Sequence, residues 1–116
     1  MKMKVFKTDG SNTSGTGTDK LTGLTYWQPL RDIRIVDLSQ ASSGTVANDA
    51  DWDIYADGKQ TDYSFRAEEL NPANKGGRSV VAPDGIKVKA GTVLQFKWSG
   101  QSTATTNYLV VYYVEE

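Results

Sequence analysis

Val80-Val81-Ala82-Pro83-Asp84-Gly85-Ile86-Lys87-Val88-Lys89-Ala90-Gly91-Thr92-Val93-Leu94-Gln95-Phe96-Lys97-Trp98 is the stretch that decides the fold class. Short runs of β-branched and apolar residues are separated by tight-turn residues, Pro83-Asp84-Gly85 and Ala90-Gly91. Val80–Ala82, Ile86–Lys89 and Val93–Trp98 therefore read as strands. In the last of them Leu94, Phe96 and Trp98 share one face while Gln95 and Lys97 share the other, the period of a half-buried strand.

The same signals extend outward. Asp32-Ile33-Arg34-Ile35-Val36-Asp37-Leu38 alternates polar and apolar residues. Trp52, Ile54 and Ala56 share a face and run into Asp57-Gly58, a two-residue hairpin signal because both central positions of a type I′ turn need positive φ. Tyr63, Phe65 and Ala67 continue as a strand, with Arg66–Leu70 alternatively one helical turn stopped by Asn71-Pro72. Residues 73–78 and 100–107 read as loops, and the small, polar residues 39–48 as a loop or an edge. Tyr108–Val114 is apolar on both faces, as suits a central strand covered on both sides. The expectation is an all-β chain: an antiparallel β-sandwich, jelly-roll-like, with a barrel as the alternative.

Residues 11–25, rich in Ser, Thr and Gly, have little to bury and much backbone entropy to lose. They predict an extended N-terminal arm over residues 1–30, ahead of a sandwich domain over 31–116. The apolar residues of that arm, Phe6, Leu21, Leu24, Tyr26 and Trp27, are the candidate assembly contacts. Docking on their own domain is the simpler use for them.

Composition narrows the chemistry. The chain has 116 residues, 38% of them hydrophobic, which suffices for one packed domain. It contains neither Cys nor His. That removes disulfides, Cys/His zinc sites and every nucleophile–histidine arrangement. A formal charge of −1 lacks the basic excess of nucleic-acid binders. No apolar run follows the N-terminal lysines, and Tyr108–Val114 is too short to span a bilayer, so no secretion signal and no membrane partner are expected. No cofactor is expected either.

Other constellations are weak. Asp49, Asp51 and Asp53 alternate like the first ligands of a calcium loop. A loop starting at Asp49 would need Gly at Ile54 and Glu at Gln60, so an acidic strand edge is the better reading. Gly15-Thr16-Gly17 lacks the residues of a phosphate-binding loop. Trp52 and Trp98 share faces with Ile54 and with Leu94 and Phe96, which places them in the core; Trp27 is the freest to stack on a ligand. Asp49–Glu69 holds seven acids against Lys59 and Arg66, and Lys75–Lys97 holds five bases against Asp84. Neighbouring strands are expected to pair these charges within one molecule; the alternative is complementary patches that bring identical subunits together.

The run Pro83–Phe96, the apolar strand that closes the chain, the Ser/Thr/Gly-rich composition and the N-terminal arm together resemble small jelly-roll virion proteins of bacteriophages, of the capsid decoration or minor capsid type. The resemblance covers the last third of the chain and its composition. It implies a virion structural protein, made in the host cytoplasm. It also implies a homo-oligomer, a trimer by preference, that cements the major capsid protein and carries no catalytic residue. The alternative is a carbohydrate- or receptor-binding sandwich module with a glycan as ligand.

Overall fold

The computed structural model describes residues 1–42, 49–102 and 105–116. The strands are β1 (Lys2–Lys7), β2 (Gly15–Thr16), β3 (Thr18–Asp19), β4 (Ile33–Ser42), β5 (Asp51–Ala56), β6 (Lys59–Phe65), β7 (Ile86–Val88), β8 (Leu94–Ser99) and β9 (Asn107–Glu115). Two single-turn helices, α1 (Ala67–Leu70) and α2 (Pro72–Lys75), link β6 to β7.

The pairing is nested: β1 with β9, β2 with β8, β4 with β7, and β5 with β6, all antiparallel. Such a chain is one long antiparallel ribbon rolled over itself, and its paired segments distribute between two sheets. The sheet orders are β3-β1-β9-β4-β7 and β2-β8-β5-β6. Apart from the short extra edge strand β3, this is the double Greek key of a jelly roll, so the expected sandwich class is found. β9 lies in the middle of the larger sheet, as its sequence predicts.

The inner faces form the core. Phe6, Ile33, Ile35, Leu38, Leu109 and Val111 face Trp52, Ile54, Phe65, Leu94, Phe96 and Trp98, all buried. Phe6 and Phe96 join the sheets with ring centroids 4.6 Å apart. Trp52 and Trp98 are core residues, as expected. Asp57 and Gly58 have φ of 51° and 81°, the positive values that the hairpin between β5 and β6 requires. At Gly17 the chain passes from the smaller sheet to the larger. An added Cβ there would lie 3.0 Å from the Phe96 carbonyl oxygen and the Trp52 ring, and 3.1 Å from Phe6 Cβ. The Gly-Thr-Gly run thus serves close packing.

Several expectations are corrected. Residues 1–30 are not a separate arm: β1 is hydrogen-bonded between β3 and β9, Phe6 is 1% exposed, and Trp27 pairs with Leu94 of β8. Val80–Ala82 is a turn rather than a strand. The Val80 N–H donates to the Asp37 side-chain carboxylate and the Val81 carbonyl accepts from Gly85, so neither joins a backbone ladder. The loop or edge expected from residue 39 starts as strand: Ser39–Ser42 stay paired with β9 and Gln40 turns inward to bond Ala50 and Trp52. Residues 43–48 of that segment lie outside the described residues, as do 103 and 104 of the loop expected over 100–107. The loop expected from residue 73 starts with α2, capped by Asn71.

Candidate functional site

The N-terminal residues build one lateral side of the sandwich. β3 is the edge of the larger sheet, and β2 the edge of the smaller. Residues 27–29 extend that second edge along the start of β8: Trp27 and Leu94 exchange backbone hydrogen bonds of 2.9 and 2.8 Å, and Gly91 donates to the Pro29 carbonyl at 2.8 Å. Most of the large hydrophobic side chains left exposed belong to residues 3–30. They are Met3, Leu21, Leu24, Tyr26 and Leu30; of the other described residues, Met1, which lies beside α2, and Tyr63 are also exposed.

The leucines are presented by a tightly tied loop. Asp19, whose side chain is 2% exposed, accepts from Lys4 Nζ at 2.9 Å and from the Leu21 N–H at 2.9 Å. Its backbone bonds Gly23 and Leu24, both at 2.8 Å. Leu21 nevertheless points out at 88% exposure, and Leu30 at 93%. Between this loop and β1 runs a cleft of about 490 Å³ lined by Met3, Lys4, Val5, Asp19, Lys20, Leu21 and Tyr113. Lys7 and Lys20 are exposed, Lys20 over the Tyr108 ring, and Arg31 is exposed beside Glu115.

Of the five candidate contacts, the structure therefore brings Leu21, Leu24 and Tyr26 together on this surface. Phe6 and Trp27 are corrected to core residues: Phe6 packs on Phe96, and Trp27 packs edge-on against Tyr113 at 4.8 Å. Sequence reasoning missed Leu30 and Met3. An exposed leucine beside a proline carries no sequence signal until the neighbouring backbone is known to be pinned.

Asp51 and Asp53 of β5, and Asp49 just before it, hold backbone and side-chain groups. Asp51 accepts from the Ala67 N–H at 2.8 Å, Asp53 from the Ser64 hydroxyl at 2.5 Å, and Asp49 from Ser102 N–H and Asn107 Nδ2. Among the described residues no group of three or more carboxylates is placed to hold a metal ion. No described helix is long and apolar enough to cross a membrane.

The expected intramolecular pairing of Asp49–Glu69 with Lys75–Lys97 is not found among the described residues. The ion pairs are Lys2–Glu115, Lys4–Asp19, Arg31–Glu115, Arg34–Glu116 and Lys75–Asp37. Lys97, opposite Asp53 in register, instead sits 4.1 Å from the centre of the Tyr55 ring.

Burial on its own would raise the pKa of Asp19. The Lys4 and Leu21 hydrogen bonds, the Lys4 charge and the Thr22 N–H outweigh it and hold the carboxyl below its ordinary value. Asp49 behaves likewise, with burial opposed by hydrogen bonds from Ser102 and Asn107. A folded-state pKa below the unfolded one gives stability that is complete above the unfolded value, about 4, and is lost as pH falls through the folded one. Urea midpoints are therefore expected to hold from neutral pH to about 5 and then decline, less steeply in Asp19→Asn than in the wild type. Parallel pH profiles for the two proteins would remove Asp19 from this role.

No known protein family, curated protein or solved structure matches the chain.

Proposed function

We propose that this jelly roll is a structural subunit that acts by assembly, in its most specific form a capsid decoration or minor capsid protein of a phage particle. The observation that carries the assembly reading is the set of exposed apolar side chains Met3, Leu21, Leu24, Tyr26 and Leu30 within the first 30 residues, Leu21 and Leu24 on a loop tied down by Asp19. A loop already ordered before docking loses little entropy on binding, and burying protruding leucines supplies the driving force. The step to a virion is fold-level analogy, since jelly rolls recur in capsid proteins and in lectins alike. The catalytic alternative lacks a histidine or cysteine to build on.

Glycan binding has less behind it. Trp27, Trp52 and Trp98 are all buried. The two most exposed aromatic rings, Tyr26 and Tyr63, lie on opposite sides of the sandwich and cannot form one stacking platform.

The test is cosedimentation with shells assembled from the major capsid protein of the same particle. The wild-type chain is expected to pellet with the shells. A Leu21→Ser/Leu24→Ser/Leu30→Ser variant, altered only at exposed positions, is expected to keep its thermal transition and stay in the supernatant. Wild-type protein that stays in the supernatant, with Trp fluorescence responding to a polysaccharide, would replace this reading with the glycan one.

A further inference from the structure

We propose that Asn107 and Thr105 hold a single buried water molecule between Asn107 Oδ1 and Thr105 Oγ1, at the end of the sandwich where β9 begins. This site is independent of the assembly reading and stands or falls without it.

The side chains around it form a network with fixed directions. Thr8, just past the end of β1, is joined to Asn107 twice: its N–H donates to the Asn107 carbonyl and its hydroxyl oxygen accepts from the Asn107 N–H, both at 2.9 Å. The same hydroxyl donates to Gln101 Oε1. Gln101 Nε2 donates to the carbonyls of Asp9 and Asn12, at 2.9 and 3.0 Å, which fixes Oε1 as an acceptor. Asn107 Nδ2 donates to that Oε1 at 2.9 Å and to Asp49 Oδ1 at 3.0 Å. With acceptors on both of its N–H bonds, the Asn107 amide cannot be turned round.

Asn107 Oδ1 is therefore an acceptor that the network does not use. It is buried and has no hydrogen-bond partner among the described residues, and Thr105 Oγ1 is in the same position. Thr105, Asn107, Leu109 and Val111 are buried while Thr106, Tyr108 and Val110 are half-buried, so the Thr105 and Asn107 side chains share the inner face. Residues two apart on one face of an extended chain are about 6.5–7 Å apart at Cα. A water with one hydrogen bond of about 2.8–3 Å to each side bridges about 5.5–6 Å, which matches that spacing. Such a water donates to Asn107 Oδ1, and the Thr105 hydroxyl turns to donate to it or accept from it. A cation suits the site less. Among the described residues Asp49 is the one carboxylate bonded to Asn107, its oxygens already accept from Asn107 Nδ2 and the Ser102 N–H, and no group of three or more carboxylates lies together.

Thr105→Val keeps the side-chain shape and removes the hydroxyl, so the sign of its effect separates the cases. A buried hydroxyl with no partner is a cost that valine removes, and the urea midpoint then rises. A hydroxyl that anchors a water is lost together with the bridge to Asn107, and the midpoint then falls. A fall is expected. Oxygen-17 magnetic relaxation dispersion on the full chain supplies the direct count: one long-lived water fewer is expected in Thr105→Val than in the wild type. A midpoint that rises or stays level, or a dispersion equal in the two proteins, overturns the site. A wild-type midpoint that drops on dialysis against a chelator overturns it too, by placing a cation where the water is proposed.

Discussion

Deletion of residues 1–27 is expected to leave a chain that does not fold. The deleted segment contains β1, which is hydrogen-bonded on one side to β9 from Lys2 to Lys7. Its loss turns the central strand of the larger sheet into an edge and uncovers Leu109 and Val111, both fully buried in the intact protein. Phe6 and Trp27 leave the core with it, and large-to-small changes at buried aromatics cost about 3–5 kcal/mol each. A domain of this size has about 5–15 kcal/mol in total, so the sum consumes most or all of it. The single substitution Phe6→Ala isolates part of the effect. It is expected to lower the unfolding free energy by about 3–5 kcal/mol with the urea m-value unchanged. Far-UV circular dichroism of the truncated chain and urea titration of Phe6→Ala make the two measurements. A truncated chain that unfolds cooperatively at the wild-type midpoint would make residues 1–27 an arm after all.

The Ser/Thr/Gly-rich composition of residues 11–25 makes the segment read as an arm, and the strand ahead of them does not correct that reading because of the faces its residues take. Met3 and Val5 share one face of β1, and they cover the outside of the sheet, where Met3 is 59% exposed. The inner face carries Phe6 together with Lys4, a lysine where the alternation rule expects a hydrophobe. Lys4 is tolerated because buried Asp19 meets it at 2.9 Å and the Trp27 ring lies 5.6 Å away. Both partners are distant in sequence, so no local window shows that the lysine is compensated. Trp27 misleads in the same way, since its backbone partner Leu94 is supplied by another strand. What could be read locally came out well. Asp57-Gly58 makes the hairpin, Leu94, Phe96 and Trp98 line the core, and Tyr108–Val114 lies within the central strand. Nested pairing of first strand with last is a matter of long-range contacts, and alternation carries no information about it. The candidate site shows the same division. Leucines in a Ser/Thr/Gly-rich stretch can be noticed from the sequence, but the loop that turns them outward depends on Asp19.

Replacing Lys75 is expected to cost nearly as much as replacing Phe6. The Lys75 side chain is 6% exposed, and its ammonium donates to Asp37 Oδ2, the Leu38 carbonyl and Ser39 Oγ, each at 2.7 Å. All three donors are satisfied, at the bulge where β4 shifts register between Ile35 and Asp37. Lys75→Ala strands those three acceptors and empties the channel the stem fills, and breaking a buried pair at one partner typically costs about 3–5 kcal/mol. The lower end is expected, because Asp37 Oδ1 keeps the N–H groups of Leu38 and Val80. Lys75→Met separates the two contributions: the stem still packs, the hydrogen bonds are lost, and its midpoint should fall between alanine and wild type. The penalty should persist at high salt, unlike that of the exposed Lys2–Glu115 pair, since a buried pair is screened far less. Urea midpoints of the variants at two ionic strengths decide the matter. Both substitutions within about 0.5 kcal/mol of wild type would show that the ammonium contributes no more than an ordinary surface lysine, and that the register shift in β4 is held by Asp37 and the turn at Val80 without it.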